Sequence, residues 1–278
     1  MSVNFKKGGG DMRIADVHAH IFPDKLAEKA AVSIGDFYEV ESENVAFTNR
    51  LLQLEEEAGI GTVLVCNSAV NAHQAPGINA FMHSVLEEHP GIMAMGSLFP
   101  GMEDWQGELE RICQLGLVGI KIHSDFQHVD IDDPSGVEMY RAIAKKGLPV
   151  LFHMGDWRYD HSSPKRLCNL KRQVPDLIAI SAHFGGYRRW HEAIECPKME
   201  GIWFDTSSSL SYIDMDMARR LLDKFGTESF LFGTDFPMWT PKTELNKFLD
   251  APLGLSEKER DAILYDNFAR LFKLEETV

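Results

Sequence analysis

Eight short apolar runs alternate with helix-like segments along the 278 residues, and this alternation predicts an α/β fold, a TIM-type (β/α)8 barrel. Most runs are continuously apolar, as strands covered on both faces of a parallel sheet are. The chain is close to the usual barrel length of about 250 residues. A doubly wound open sheet is disfavoured because no G-x-G-x-x-G turn follows the first run.

The predicted strands are 12–18, 61–66, 92–98, 118–123, 149–153, 177–182, 202–206 and 230–233. The predicted helices are 48–58, 78–88, 104–114, 135–146, 164–172, 187–194, 214–225, 242–249 and 256–274. Gly59 and Gly116 directly follow helical runs, where a left-handed residue is needed. Ser256 and Glu259 form a capping box at the start of the last helix.

The chain is expected to form one barrel domain over residues 11–278, after a flexible lead-in over residues 1–10 that ends in three glycines. The stretch 22–47 carries no strand signal. We interpret it as an extended loop after the first strand, with a short helix over 25–32 that covers the barrel mouth.

Composition narrows the functional classes. The net charge of −14, with one arginine doublet, argues against nucleic acid as a partner, because phosphate contacts need clustered basic residues. No apolar run approaches the roughly 20 residues of a membrane span, so no membrane partner is expected. The four cysteines show no C-x-x-C pairing, which favours free thiols in the cytoplasm.

The chemistry-bearing residues stand at the ends of predicted strands. His18 and His20 end the first strand and share one of its faces, because side chains two residues apart in a strand point the same way. Other predicted strands end in polar side chains: Lys121 with His123, His153, His183, and Asp235. Strand ends converge at one mouth of a barrel, and imidazoles with a carboxylate suit a divalent cation, above all zinc.

The ordered motifs His18-x-His20, Gly-Ile-Lys-Ile-His, His153, His183 and Phe-Gly-Thr-Asp-Phe-Pro resemble the amidohydrolase superfamily. They are most similar to its amidohydrolase-2 branch, which includes aminocarboxymuconate-semialdehyde decarboxylase-like enzymes. The resemblance implies that one metal ion is bound by four side chains: His18, His20, His153 and Asp235.

The resemblance also implies homodimers, and a catalytic role for His183 beside the metal as acid/base or as a stabiliser of negative charge. From the chemistry of the residues, Asp235 can both bind the metal and accept a proton from a water whose pKa the metal lowers towards about 7. Whether His183 contacts the metal is left open. In other branches of the superfamily a lysine at this strand is carboxylated and bridges two metals. Here Lys121 is expected to be unmodified.

Substrate selection is assigned to Lys121, His123 and the loops. Lys121 is expected to bind a substrate anion, or else to form a buried salt bridge, and His123 lies on the same face. Trp157 and Arg158 are candidates for an aromatic wall and a carboxylate anchor, and Trp239 also follows a strand end. Ordinary loop packing is an equal alternative for Arg158.

Three functions remain open at this point. The first is a hydrolase that activates a metal-bound water against a small, carboxylated amide, ester or lactone. The second is a non-oxidative decarboxylase of an aromatic or muconate-type acid, which would use the same ligands. The third is a metal-free binding barrel, which the complete ligand set disfavours.

Overall fold

A computed structural model describes residues 12–40 and 42–274, so the lead-in predicted over residues 1–10 lies outside it. The strands are β1 Ala15–His20, β2 Thr62–Cys66, β3 Met93–Ala94, β4 Gly96–Ser97, β5 Ile120–Ile122, β6 Val150–Phe152, β7 Ala179–Ser181, β8 Ile202–Asp205 and β9 Phe230–Leu231. All pairings between them are parallel, in the orders β1-β2-β3 and β4-β5-β6-β7-β8-β9.

The two sheets join at both ends. Met95 lies between β3 and β4, so these are two halves of one barrel strand; its N–H donates to Val65 of β2 at 2.9 Å, and the next N–H donates to Gly119, before β5. At the other seam the N–H of Val17 in β1 donates to the carbonyl of Phe232 at 3.0 Å. The predicted TIM-type barrel of eight parallel strands is therefore confirmed.

Helices surround the strands: α1 Asp24–Tyr38, α2 Thr48–Ala58, α3 Ala75–Glu88, α4 Trp105–Gln114, α5 Ser124–Gln127, α6 Pro134–Lys146, α7 Pro164–Gln173, α8 Trp190–Ala193, α9 Met215–Phe225, α10 Pro241–Asp250, α11 Glu257–Asp261 and α12 Asn267–Phe272. Gly59 ends α2 in the left-handed region, and the Ser256–Glu259 capping box opens α11, both as predicted. None of the helices in the described ranges is long and apolar enough to cross a bilayer.

The main departure from the predicted elements is α1. The sequence predicts a short helix over 25–32, but α1 continues to Tyr38. The extension is stabilised by tertiary contacts at its end, because the ring of Phe37 packs edge-on against Phe126 at 4.6 Å between centroids. Local propensity carries no information about such a contact. Consequently the loop after the first strand brings one long helix to the barrel mouth.

Candidate metal centre

Three side chains at the mouth bring their donor atoms together. The Nε2 atoms of His18 and His20 are 3.1 Å apart. Oδ1 of Asp235 lies 3.6 Å from the first and 3.4 Å from the second. Donors about 2.1 Å from a tetrahedral cation lie about 3.4 Å from one another. This donor triangle of His18, His20 and Asp235 therefore has the size that one divalent cation requires.

Backbone geometry places Asp235 over the two histidines. Its N–H donates to the carbonyl of His18 at 2.7 Å, which ties the chain after β9 to β1. Asp235 has a φ of 59°, a left-handed conformation that aspartate tolerates better than most residues. Its Oδ2 accepts a 2.6 Å hydrogen bond from Ser208, whose hydroxyl oxygen accepts one from Trp239 Nε1 at 3.1 Å. The carboxylate is thus held with Oδ1 towards the histidines.

His18 is oriented by Asp205 at the end of β8. Nδ1 of His18 donates to Oδ2 of Asp205 at 2.9 Å, which leaves Nε2 as the free lone pair. Asp205 is itself held by the Ser207 hydroxyl at 2.6 Å and by the N–H of His183 at 2.9 Å. Burial lowers the pKa of His18 to about 4, so the ring is neutral, as a metal ligand must be.

Lys121 is fully buried next to the triangle, and its Nζ donates to Nε2 of His18 at 2.9 Å. Burial lowers the pKa of this amine, an effect that the charges of Asp235 and Asp205 oppose. A cation on His18 Nε2 would compete with the amine for the same lone pair. Lys121 therefore faces the centre, as the sequence predicts, and it would have to turn towards another acceptor when a cation binds.

Four further side chains form a connected chain beside the triangle: His123, Tyr38, His153 and His183. The N–H of Phe126 donates to His123 Nδ1, so Nε2 of that ring carries the proton and donates to the Tyr38 hydroxyl at 2.7 Å. The same hydroxyl lies 3.3 Å from His153 Nε2, and His153 Nδ1 lies 3.1 Å from His183 Nε2. Burial lowers the pKa of both His123 and His153 well below the ordinary value, which keeps the stacked rings neutral.

The predicted ligand His153 is therefore engaged by Tyr38 on one nitrogen and by His183 on the other. The predicted acid/base His183 has its Nδ1 turned to the Ser207 carbonyl at 3.1 Å, and its Nε2 points towards His153. Coordination by His153 and catalysis by His183 both stay predictions. Both side chains lie within one hydrogen-bonded cluster with the triangle.

A cavity of about 800 Å³ opens at the triangle, and His20, His123, His153 and Asp235 line its inner end. A smaller pocket lies beside it, lined among others by His183 and Trp239. Tyr38 lines both spaces. Any cation held by His20 and Asp235 would thus face a space large enough for a drug-sized molecule.

Two loop residues predicted for substrate binding are placed differently. Trp157 is 66% exposed and does not line either space. The guanidinium of Arg158 pairs with Asp156 at 3.0 Å and 2.6 Å, contacts the carbonyl of Phe37 and stacks on the Phe37 ring at 4.5 Å. The guanidinium therefore links the end of α1 to the loop after β6. This is the ordinary loop packing that was the alternative to carboxylate binding for Arg158.

Five members of the site were not predicted from the sequence: Tyr38, Cys66, Asp205, Ser207 and Ser208. Cys66 pairs with His20 across β1 and β2, and its Sγ lies 3.7 Å from the Nδ1 of that histidine. Asp205 could have been found, because it lies near the end of the predicted strand 202–206, as the other chemical residues do. Tyr38 lies in the stretch 22–47, far from any predicted strand end, so its position did not point to the site.

The comparisons with known proteins agree with this architecture. The amidohydrolase family model, of the second branch, matches residues 15–274. The chain belongs to the amidohydrolase-2 family. No curated protein matches it by sequence.

Solved structures of similar fold include 5-carboxyvanillate decarboxylase from Sphingomonas paucimobilis, with 16% identity over 95% of this chain and 100% of that one, at a TM-score of 0.73. A dihydroxybenzoic acid decarboxylase from Polaromonas, which has manganese bound, has 17% identity over 95% and 97% at 0.73. A putative 2-pyrone-4,6-dicarboxylic acid hydrolase from Pseudomonas putida has 18% identity over 95% and 98% at 0.67. This amidohydrolase-2 chain thus shares its fold with decarboxylases and with a protein described as a putative hydrolase.

Proposed function

We propose that this protein is a metal-dependent hydrolase that cleaves an ester, amide or lactone of a small molecule. The donor triangle carries the proposal, because two imidazoles and a carboxylate at tetrahedral spacing match a catalytic centre that keeps a position open. His18, His20 and Asp235 would hold the ion, with His153 as a predicted fourth ligand. We propose zinc, which this donor set suits.

A divalent cation supplies Lewis acidity and lowers the pKa of water at such a site. The protein's own groups then handle protons. Oδ2 of Asp235, held by Ser208, is the proposed acceptor of a proton from the attacking water. His183 lines the same small pocket as Asp235 and is the proposed donor to the leaving group. Water adds across the acyl bond, and the products are a carboxylic acid and an alcohol or amine.

Decarboxylation is the second candidate. The decarboxylases of similar fold support it, and so does Lys121, a buried amine at the centre that could hold an anionic substrate group. In that reaction the carboxylate would leave as carbon dioxide and a proton would take its place on carbon. The present residues serve either reaction, because both need the same cation and a proton donor.

The test starts from metal analysis and a substrate panel. We expect about one zinc per chain, hydrolysis of lactones and esters, and loss of most turnover in Asp235→Asn with the fold retained by circular dichroism. Carbon dioxide release from aromatic or muconate-type acids, without hydrolysis of any lactone or ester, would establish the decarboxylase instead. Protein without divalent metal, unchanged by His18→Ala, would refute both. If the protein contains manganese in place of zinc, only the proposed identity of the metal ion changes.

A further inference from the structure

The large cavity has a wall whose chemistry does not match a small polar substrate. Its volume is about 800 Å³, and its lining includes Phe22, Ile34, Phe37, Phe81 and Phe126. Pockets of about 300–1,000 Å³ enclose drug-sized ligands. The space is therefore much larger than a single compact acid requires, and its walls are mostly hydrocarbon.

One side of the wall is a single face of α1. Leu26, Ala30, Ile34 and Phe37 line the cavity at spacings of four, four and three residues, which puts them on one helical stripe, with the polar Lys29 and Ser33 beside it. Leu26 is 47% exposed, although it lies on the stripe that faces inward. An apolar helix face normally packs against protein. Here it borders an open space that leads to the donor triangle.

The basic side chains on this cavity lie at two places. Lys29, His73 and His128 are on its exposed rim, and His20, His123 and His153 are at its inner end, beside the donor triangle. Arg158, the anchor expected for a carboxylate, is engaged by Asp156 and Phe37 and does not line the space. The middle of the cavity therefore offers hydrophobic contact and little to neutralise a polyanion.

We infer that the substrate has an extended apolar body, an acyl chain or an aryl system, which lies along α1 while its scissile group reaches the donor triangle. This inference rests on the proposed hydrolase function and names the substrate class of the same site. The hydrophobic effect supplies the affinity, at about fourfold per buried methylene. A short or highly charged substrate would leave most of the α1 wall in contact with water.

The test uses 4-nitrophenyl esters from acetate to decanoate with the metal-loaded enzyme. We expect kcat/KM to rise with chain length. Ala30→Trp, which fills the cavity, should lower the decanoate-to-acetate ratio of kcat/KM at least tenfold, by our estimate of about two lost methylene contacts. Val32→Trp is the matched control, because Val32 is on the same helix but 64% exposed and outside the cavity, and its ratio should equal that of the wild type.

A second variant that fills the cavity from another helix controls for misfolding of α1 in Ala30→Trp. Gly77→Trp enters from α3 on the opposite wall, where a new Cβ would meet no atom within 4 Å. It should lower the same ratio. A kcat/KM that does not rise with chain length in the wild type, or a decanoate-to-acetate ratio that falls equally in Val32→Trp, would overturn the inference.

A binding measurement, which requires no hydrolysis, tests the apolar substrate independently of the proposed reaction. Straight-chain alkanoates from acetate to decanoate are titrated calorimetrically into the metal-loaded wild type and both filling variants. Affinity that rises with chain length, and is lost on filling, supports the apolar body even if no ester is hydrolysed. Efficient hydrolysis of acetate esters with no preference for longer chains in either assay would retain the hydrolase and reject the apolar substrate.

Discussion

The donor triangle and the α1 wall lie at the same barrel mouth but are built in opposite ways. His18 and Asp205 are fully buried, and they are held by hydrogen bonds of 2.9 Å between His18 Nδ1 and Asp205 and 2.6 Å between Ser207 and Asp205. Leu26 on the wall is 47% exposed and faces open space. Chemistry requires donors fixed to fractions of an ångström, whereas an apolar wall needs only shape and area.

This contrast has a consequence for mutation. A change in the centre should impair all substrates, because every substrate uses the same donors. A change in the wall should alter the preference among substrates.

The largest effect is expected from loss of a donor. His20→Ala removes one corner of the triangle, and we expect metal content to fall to background and kcat/KM to fall by more than about a hundredfold, since even outer partners cost about 10–100-fold. Metal analysis and steady-state kinetics on short and long esters check it. His191→Ala on the surface is the control, with its ring 72% exposed. A metal-replete and active His20→Ala would remove His20 from the centre.

The next effect concerns an orienting residue. Asp205→Asn keeps the shape but removes the charge that holds the Nδ1 proton of His18. We expect metal affinity to weaken by about 10–100-fold, with activity restored at high metal concentration. Competition with a chelator measures the affinity. Asp216→Asn, at an exposed position in α9, should leave it unchanged. Equal affinities in the two variants would show that Asp205 is only structural.

Tyr38 tests the boundary between the two regions, because it belongs to α1 in sequence but contacts His123 and His153 through its hydroxyl. Tyr38→Phe keeps the ring and loses two hydrogen bonds. We expect kcat/KM to fall about threefold to tenfold, equally for acetate and decanoate esters, since one hydrogen bond contributes about 0.5–1.5 kcal/mol. Tyr159→Phe, whose ring stacks on Phe37 with centroids 5.7 Å apart, is the control. A change in chain-length preference would place Tyr38 with the wall.

The same contrast explains what could be predicted from the sequence. The barrel and the positions of His18, His20 and Asp235 follow from strand periodicity and from the rule that strand ends meet at one mouth. Lys121 also faces the centre for this reason. These are local or topological facts, and a single sequence contains them.

The remainder depends on which side chains contact one another in the folded chain. Tyr38 reaches His123 only because the end of α1 packs on Phe126, a contact 89 positions along the chain from Phe37. Arg158 looked available for a substrate carboxylate, although its partner Asp156 is only two residues away. Residue type alone does not reveal whether a charge is already paired.

The smallest effect is expected from Trp157, which the sequence suggested as a substrate wall. Its side chain is 66% exposed and does not line the cavity, so Trp157→Ala should change kcat/KM less than about twofold and stability by no more than about 0.5 kcal/mol. Trp239→Phe makes the informative contrast, because it removes the Nε1 donor to Ser208, which in turn holds Asp235. We expect about a threefold to tenfold loss there. A loss of threefold or more in Trp157→Ala, measured on the same ester series, would contradict this placement and assign Trp157 to the substrate wall.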